Sequence, residues 1–131
     1  MKATFFTFFI VLTSFLYGQD NLPRLINLDD QIISHTSYTL SYNETHEQAN
    51  WVKYMITKVE LESKVAKRKN NFKEDTSIIT GSAQLIDYKG SGYDRGHLKA
   101  SADESCNQTQ MDETFLMSNM SPQNPSFNRG I

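Results

Sequence analysis

The sequence is organised around one short stretch, Tyr93-Asp94-Arg95-Gly96-His97. Two further polar segments follow it, Ser118-Asn119-Met120-Ser121-Pro122-Gln123 and Phe127-Asn128-Arg129-Gly130. The first stretch places an arginine close to a histidine, so it offers a phosphate-binding cation and a base that titrates near neutral pH. The later segments offer amide oxygens, which are neutral ligands for a hard metal ion. We therefore interpret these segments as two halves of one site.

Metal-assisted cleavage of a phosphodiester would give each half a task. His97 can take the proton of an attacking water, and Arg95 presents a fork of donors to phosphate. Asn128 can offer its carbonyl oxygen to an ion such as Mg²⁺, which stabilises charge on the transition state and on the leaving oxygen. Taken singly, His97 is also typical of a surface residue, Asn119 and Asn128 of turns, and Asp94 of a local charge pair with Arg95. The residues alone therefore indicate no more than a candidate metal-assisted hydrolase.

Length and composition limit the alternatives. The chain has 131 residues, enough for one modest domain, and its net charge is −2. There is thus no overall basic field to hold nucleic acid, and affinity for phosphate must come from a local patch. The single cysteine, Cys106, excludes an internal disulfide framework and a cysteine-type zinc site.

A local basic patch occurs shortly before the central stretch. Residues 64–73 carry five cations, Lys64, Lys67, Arg68, Lys69 and Lys73. Charge alone favours a solvated loop, but the position of the cluster favours phosphate binding.

The first 18 residues have the pattern of a secretory signal peptide. Lys2 is followed by an apolar run over residues 5–17 and by the small residue Gly18. The run is short for a membrane span, which needs about 20 apolar residues. A buried helix or an uncleaved anchor is the alternative. We expect a secreted or periplasmic protein, cleaved near Gly18, with no stable membrane association afterwards.

Periodicity predicts a small sheet after the signal peptide. Residues 19–37 show no clean period, and we expect a loosely packed lead-in there. Aromatic and β-branched residues alternating with polar ones predict two antiparallel strands, at residues 38–42 and 51–57, on either side of a turn. Residues 59–61 are read as an extension of the second strand.

The second half of the chain gives weaker signals. Residues 103–105 are predicted to be exposed. Residues 111–116 have a partial helical pattern, with Asp112 as a candidate N-cap. Two prolines predict a loop at residues 121–126, and a helix is expected to begin near Phe127.

The central stretch resembles the signature of a known family. Asp94-Arg95-Gly96-His97 looks like that of the DNA/RNA non-specific endonucleases, the ββα-metal group of secreted and mitochondrial nucleases. The likeness covers about residues 38–131, with separate segments in the right order. These segments are Asn50-Trp51-Val52-Lys53-Tyr54, the basic stretch 68–75, the approach 87–93, Glu113-Thr114-Phe115, and the two polar segments quoted above. The resemblance implies an α+β fold, a mixed domain with a central antiparallel sheet and a ββα-metal (His-Me finger) motif.

The resemblance also implies roles for residues. His97 would be the general base, on a strand, and Asn128 the direct protein ligand of Mg²⁺ (Mn²⁺ is the alternative), near a helix. Arg95 and Asn119 would be supporting catalytic residues, with Asn119 fixing the loop or orienting His97. Arg68 and Arg95 would bind the phosphates of the DNA or RNA substrate.

The sequence departs from the family's pattern at its end. Family members continue past the metal asparagine into a helix carrying a glutamate and an arginine, whereas this sequence stops at Ile131. We therefore expect a partial domain over residues 38–131, and expect residues 19–131 alone to be poorly folded and nearly inactive. The alternative is a non-catalytic remnant that at most binds nucleic acid or a protein partner.

Overall fold

The computed structural model describes Pro23 and residues 29–130. The predicted signal peptide and most of the lead-in lie outside the described residues. Within them, no helix has the length and apolar character that a membrane crossing requires. Five strands are present there: β1 (Gln31–Ser34), β2 (Tyr38–Asn43), β3 (Gln48–Tyr54), β4 (Asp94–His97) and β5 (Met120–Gln123). The α-helices are α1 (Lys58–Glu62), α2 (Leu85–Tyr88), α3 (Gln108–Glu113) and α4 (Pro125–Asn128). Two short 3₁₀ turns, Ser101–Glu104 and Met117–Asn119, complete the regular structure.

Strands β1, β2 and β3 form an antiparallel sheet in that order. The two strands predicted from alternation are present and antiparallel, with a register shift at Ser41/Tyr42. The second covers Gln48–Tyr54, so the prediction of residues 51–57 is wrong for residues 55–57, which form no strand. The expected loose packing before residue 38 is wrong for residues 31–34, which pair along β2 as β1. Alternate residues of β2 enter a core formed by Tyr38, Leu40, Tyr42 and Ile78.

Strands β4 and β5 form a separate antiparallel pair, in which Arg95 lies opposite Pro122 and His97 opposite Met120. Pro122 lacks a backbone donor, yet it is tolerated because a two-stranded sheet leaves each strand with an unpaired edge. The predicted loop at residues 121–126 is therefore wrong for residues 121–123. It is also wrong for residues 125–126, because α4 begins at Pro125 and not near Phe127 as predicted. The hydroxyl of Ser121 lies 3.0 Å from Gln48 Oε1 and connects this pair to β3.

Two other helices, α1 and α3, also differ from the sequence prediction. Residues 59–61 do not prolong β3, because Thr57 and Glu60 form a capping box that starts α1. Helix α3 starts earlier than predicted, because Asn107, and not Asp112, accepts hydrogen bonds from the backbone N–H groups of Thr109 and Gln110.

Two buried polar groups hold the segments around β4 and β5. Asp75 accepts hydrogen bonds from His35 Nε2 at 2.9 Å and from the Ser118 hydroxyl at 2.5 Å. Burial raises the pKa of Asp75, but these hydrogen bonds outweigh it and leave the pKa at about 2. The ammonium of Lys99 is fully buried against the Glu104 carboxylate and donates to the Ser37 carbonyl at 2.9 Å. The prediction that residues 103–105 are exposed is wrong for Glu104 and Ser105, because Glu104 balances this buried cation.

The observed architecture confirms the predicted α+β class. A second core of Ala83, Tyr88, Met117 and Met120 supports the β4–β5 pair. Helix α4 follows β5 directly and contacts β4. The order β4, β5, α4 therefore brings the end of α4 beside Asp94–His97.

Candidate active site

A polar cleft of about 450 Å³ lies where β4 and α4 meet the basic segment, residues 64–73, which contributes Arg68. It contains four of the five site residues predicted from the sequence, namely Arg68, Arg95, His97 and Asn128. Because Arg95 and His97 are two positions apart on β4, their side chains leave the strand on the same face. Arg68 and Asn128 are 60 positions apart along the chain, and both border the cleft beside these two side chains.

Gly96 lies between these two residues and faces the other way. A side-chain Cβ there would lie 1.9 Å from Cδ of Gln123, the β5 residue whose side chain crosses over it. The absence of a side chain at Gly96 therefore lets β5 pack closely on β4 behind the cleft.

His97 is held by aromatic rings. Its ring centroid lies 4.9 Å from that of Phe115, edge-on, and 5.7 Å from that of Phe72. Nε2 is buried and has no hydrogen-bond partner among the described residues. Burial, and then the nearby positive charge of Arg68, lower the pKa of His97 to about 4. The imidazole is therefore neutral at physiological pH and able to accept a proton.

The two predicted phosphate-binding arginines are held by different aromatic rings. The Arg68 guanidinium donates to the Ser101 hydroxyl and to Asn70 Oδ1, both at 2.7 Å, and lies 5.0 Å from the centre of the Phe115 ring. The Arg95 guanidinium stacks 4.5 Å from the centre of the Phe72 ring. These contacts orient two planar cations in a chain whose net charge is negative. The cleft therefore supplies the local patch that phosphate binding requires.

Asn128 at the end of α4 is held by a carboxylate. Its Nδ2 donates to Asp94 Oδ2 at 3.2 Å, and Arg129 binds both oxygens of the same carboxylate at 2.8 and 2.7 Å. The hydrogen bonds from Arg129 and Asn128 lower the pKa of Asp94. The direct partner of Asp94 is therefore Arg129, whereas Arg95, which the sequence offered as an alternative charge partner, acts only through its nearby positive charge.

The donor set fits a hard divalent cation. With Nδ2 of Asn128 committed to Asp94, its Oδ1 has no donor among the described residues and is left for a ligand. A neutral oxygen beside open space suits Mg²⁺ or Mn²⁺, which keep several waters in their coordination shells. A separate group, Glu60, Glu104 and Cys106, brings three ligand atoms within 4.8 Å of one another. The Glu104 carboxylate there already balances buried Lys99, so that group does not suit a cation.

Asn119 does not line the cleft. It is fully buried, and its side chain accepts from the Lys99 backbone N–H at 2.9 Å. Its Nδ2 donates to the carbonyls of Lys99 and Thr114 at 3.0 and 2.8 Å. These contacts fix the chain just after His97, which is the first of the two supporting roles predicted for Asn119; none of them reaches the imidazole.

Sequence reasoning missed three contributions to this site. Arg129 was not expected to bind Asp94, and Phe72 and Phe115 were not expected to enclose His97. The contact of Arg129 with Asp94 had no local signal, because Arg95 is the cation adjacent to Asp94 in sequence. The aromatic contacts depend on long-range packing and leave no local pattern.

Comparison with known proteins identifies the group to which this arrangement belongs. The family description of the DNA/RNA non-specific endonucleases matches residues 23–131. The chain is 45% identical to a nuclease of Syncephalastrum racemosum, over 75% of this chain and 32% of that protein. It is 38% identical to a nuclease of Nostoc sp., over 82% of this chain and 39% of that protein. It is 39% identical to human mitochondrial endonuclease G, over 76% of this chain and 34% of that protein.

A solved structure gives the same result for the fold. The crystal structure of an EndoG/EndoGI complex contains a chain that matches with a TM-score of 0.71 and 39% identity, over 76% of this chain and 42% of that one. The protein thus spans about a third to two fifths of the length of the relatives it matches. In this chain β4, β5 and α4 have the order and pairing of a ββα motif, and the chain belongs to the DNA/RNA non-specific endonuclease family.

Proposed function

We propose that this protein is a metal-dependent endonuclease that hydrolyses phosphodiester bonds of DNA and RNA without sequence specificity. One observation carries the proposal: a neutral imidazole, two oriented guanidinium groups and a free amide oxygen meet in a single cleft. Each matches one requirement of phosphodiester hydrolysis, namely a base, phosphate binding and a place for the cation. Family membership makes a nucleic acid the expected substrate.

In the proposed mechanism, His97 removes a proton from the attacking water. Its low pKa keeps it unprotonated, and approach of the anionic substrate raises that pKa toward the value at which a base is most effective. Arg95 and Arg68 bind the non-bridging oxygens of the phosphate and fix its position relative to the imidazole. Both arginines are already held by aromatic rings, so little freedom is lost when substrate binds.

Asn128 would hold the cation through Oδ1, and Mg²⁺ is the proposed ion, with Mn²⁺ as an alternative. When bound, the ion supplies charge stabilisation to the phosphoryl oxygens and to the leaving oxygen. Asp94 contributes by fixing the amide so that Oδ1, and not Nδ2, is free. A carboxylate that orients a metal ligand in this way is a general feature of protein metal sites.

An activity assay tests this function. The purified protein is incubated with plasmid DNA and with RNA, in Mg²⁺, in Mn²⁺ and in EDTA. In a protein that carries the complete domain of the relatives, we expect cleavage of both substrates with either ion and none in EDTA. Binding of nucleic acid without cleavage in any ion would favour the non-catalytic alternative, and cleavage that persists in EDTA would contradict the metal-dependent mechanism.

The titration of His97 gives a prediction that does not depend on activity. We expect the His97 ring signal in NMR of the metal-free protein to titrate near pH 4, below the ordinary value of 6.5. Arg68→Met should raise this midpoint, because removing a nearby cation makes protonation easier. The midpoint should stay below 6.5, because burial is the larger cause of the lowered pKa.

The control for this titration is Lys69→Met. It removes one positive charge from the same basic segment, but Lys69 pairs with Asp112 at 3.3 Å and does not line the cleft. It should leave the His97 midpoint unchanged. Assignment of the signal uses His97→Gln, since the chain has two other histidines. A midpoint at or above 6.5 in the parent would contradict the environment described for His97.

Export is part of the same proposal. It is supported by the pattern of residues 1–18, with Lys2 before an apolar run and Gly18 after it. N-terminal sequencing of protein recovered from the medium or periplasm should show a start near residue 19. Recovered protein that still begins at Met1 would count against cleavage at this position.

A further inference from the structure

A second groove lies beside the cleft, on the other side of Tyr93. This side groove, of about 560 Å³, is bounded by Gln48, Ala83, Asp87, Tyr88, Tyr93 and Pro122, with further residues at its rim. Its volume is in the range of about 300–1,000 Å³ that is typical of sites for small organic groups. Tyr93 borders both the cleft and the side groove.

The two spaces lie on one face of the β4–β5 pair. Arg95 borders the cleft, Pro122 borders the side groove, and these two residues are directly opposite each other in the register. Side chains of opposed residues point to the same face, about 5 Å apart at Cβ. A chain bound by Arg95 can therefore extend across Pro122 into the side groove without leaving the surface.

The two spaces differ in charge. The cleft contains Arg68 and Arg95, whereas the side groove has no lysine or arginine among its lining residues and carries the carboxylates of Glu47 and Asp87. These carboxylates repel a phosphate, while their oxygens can accept hydrogen bonds from amino groups. A nucleotide that binds across both spaces therefore places its phosphate in the cleft and its base in the side groove.

Tyr93 is suited to contact that base. Its side chain is 54% exposed although it stands at the junction of the two spaces. Gly92, with φ of 84°, precedes it in a backbone conformation that other residues rarely adopt, so the turn that presents Tyr93 is fixed by glycine. An exposed ring next to a phosphate-binding cleft is the usual platform for stacking a base of a single strand.

We propose that the side groove is a nucleobase subsite, in which Tyr93 stacks on the base of a nucleotide next to the phosphate held by Arg68 and Arg95. This rests on the proposed function and extends it, since it names how the enzyme engages an unstacked strand. Because a stacked and paired base must leave its helix to enter the groove, the subsite favours single-stranded or distorted substrates.

The test measures binding separately from cleavage. Fluorescence anisotropy in EDTA gives Kd for a labelled deoxycytidine oligonucleotide and for an abasic strand of the same length. The parent should bind the abasic strand about tenfold more weakly, the size expected for one stacked base. Tyr93→Leu should remove this difference by weakening only the base-containing strand, whereas Tyr93→Phe should preserve it. Val59→Ala, which alters a residue that is 71% exposed on α1 and lines neither space, is the matched control.

Each outcome separates this inference from the proposed function. If Tyr93→Leu keeps the parent's discrimination between the two strands, the subsite at Tyr93 is wrong, and Mg²⁺-dependent cleavage by the same preparation leaves the proposed function intact. If the parent binds both strands equally but cleaves, the subsite is likewise overturned. If the parent neither binds nor cleaves, the proposed function fails, and the subsite fails with it.

Discussion

In a protein that carries the complete domain, replacement of His97 by alanine is expected to reduce kcat for plasmid DNA and for RNA by about 10²- to 10⁴-fold, the range typical of a lost general base. The physical reason is the state of the ring: it is neutral, it faces phosphate-binding arginines, and its Nε2 has no structural partner among the described residues. Binding should change little, because Arg68 and Arg95 remain. The effect should therefore appear in kcat and much less in KM.

Two controls make this result specific to the chemistry. Circular dichroism melting shows whether the variant remains folded after losing its contacts with Phe72 and Phe115, and His97→Gln retains more of that volume. Val59→Ala alters an exposed residue on α1 that lines neither the cleft nor the side groove, and it should retain kcat. A folded His97→Ala variant with activity within a few-fold of the parent would remove His97 from the role of base.

Local patterns predicted only part of this fold. Strands β2 and β3 could be predicted because apolar and polar residues alternate along them and because a turn separates them. Strand β1 was not, because Gln31-Ile32-Ile33-Ser34 is only four residues long and becomes a strand by pairing with β2. Helix α1 could have been found, since Thr57 and Glu60 have the spacing of a capping box, but the apolar residues around them favoured a strand.

Local sequence rules predicted only the part of the site that lies on β4. Arg95 and His97 are neighbours in sequence and on one face of a strand, so periodicity alone brings them together. Arg68 and Asn128 lie 29 residues before and 31 residues after His97, and no local rule places them in the same cleft. The family resemblance indicated them, and the structure brings both to the cleft. The contact of Arg129 with Asp94 depends on how α4 packs against β4. Neither the composition nor the hydrophobic periodicity of the sequence reveals that packing.

Replacement of Asn128 by alanine is expected to weaken binding of the divalent ion by about 100-fold or more and to lower activity at ordinary Mg²⁺ concentrations to a similar extent. The variant lacks Oδ1 of Asn128, the amide oxygen that accepts no hydrogen bond from the described residues of the cleft. If the loss is one of metal affinity, high Mg²⁺ should restore part of the activity. Asn124→Ser is the matched control, because Asn124 caps the same helix but does not line the cleft.

Direct measurement of the ion distinguishes this role from a structural one. Titration of the protein with Mn²⁺, followed by electron paramagnetic resonance, should show a weaker site in Asn128→Ala and an unchanged one in Asn124→Ser. Asp94→Ala should fall between them, because it leaves Oδ1 in place but removes the acceptor that holds Nδ2 at 3.2 Å and the partner of Arg129. Removal of an orienting carboxylate typically costs about 10- to 100-fold in metal affinity. Equal Mn²⁺ binding by the parent, Asp94→Ala and Asn128→Ala would show that α4 does not carry the metal ligand, and the metal would then have to be bound elsewhere in the cleft.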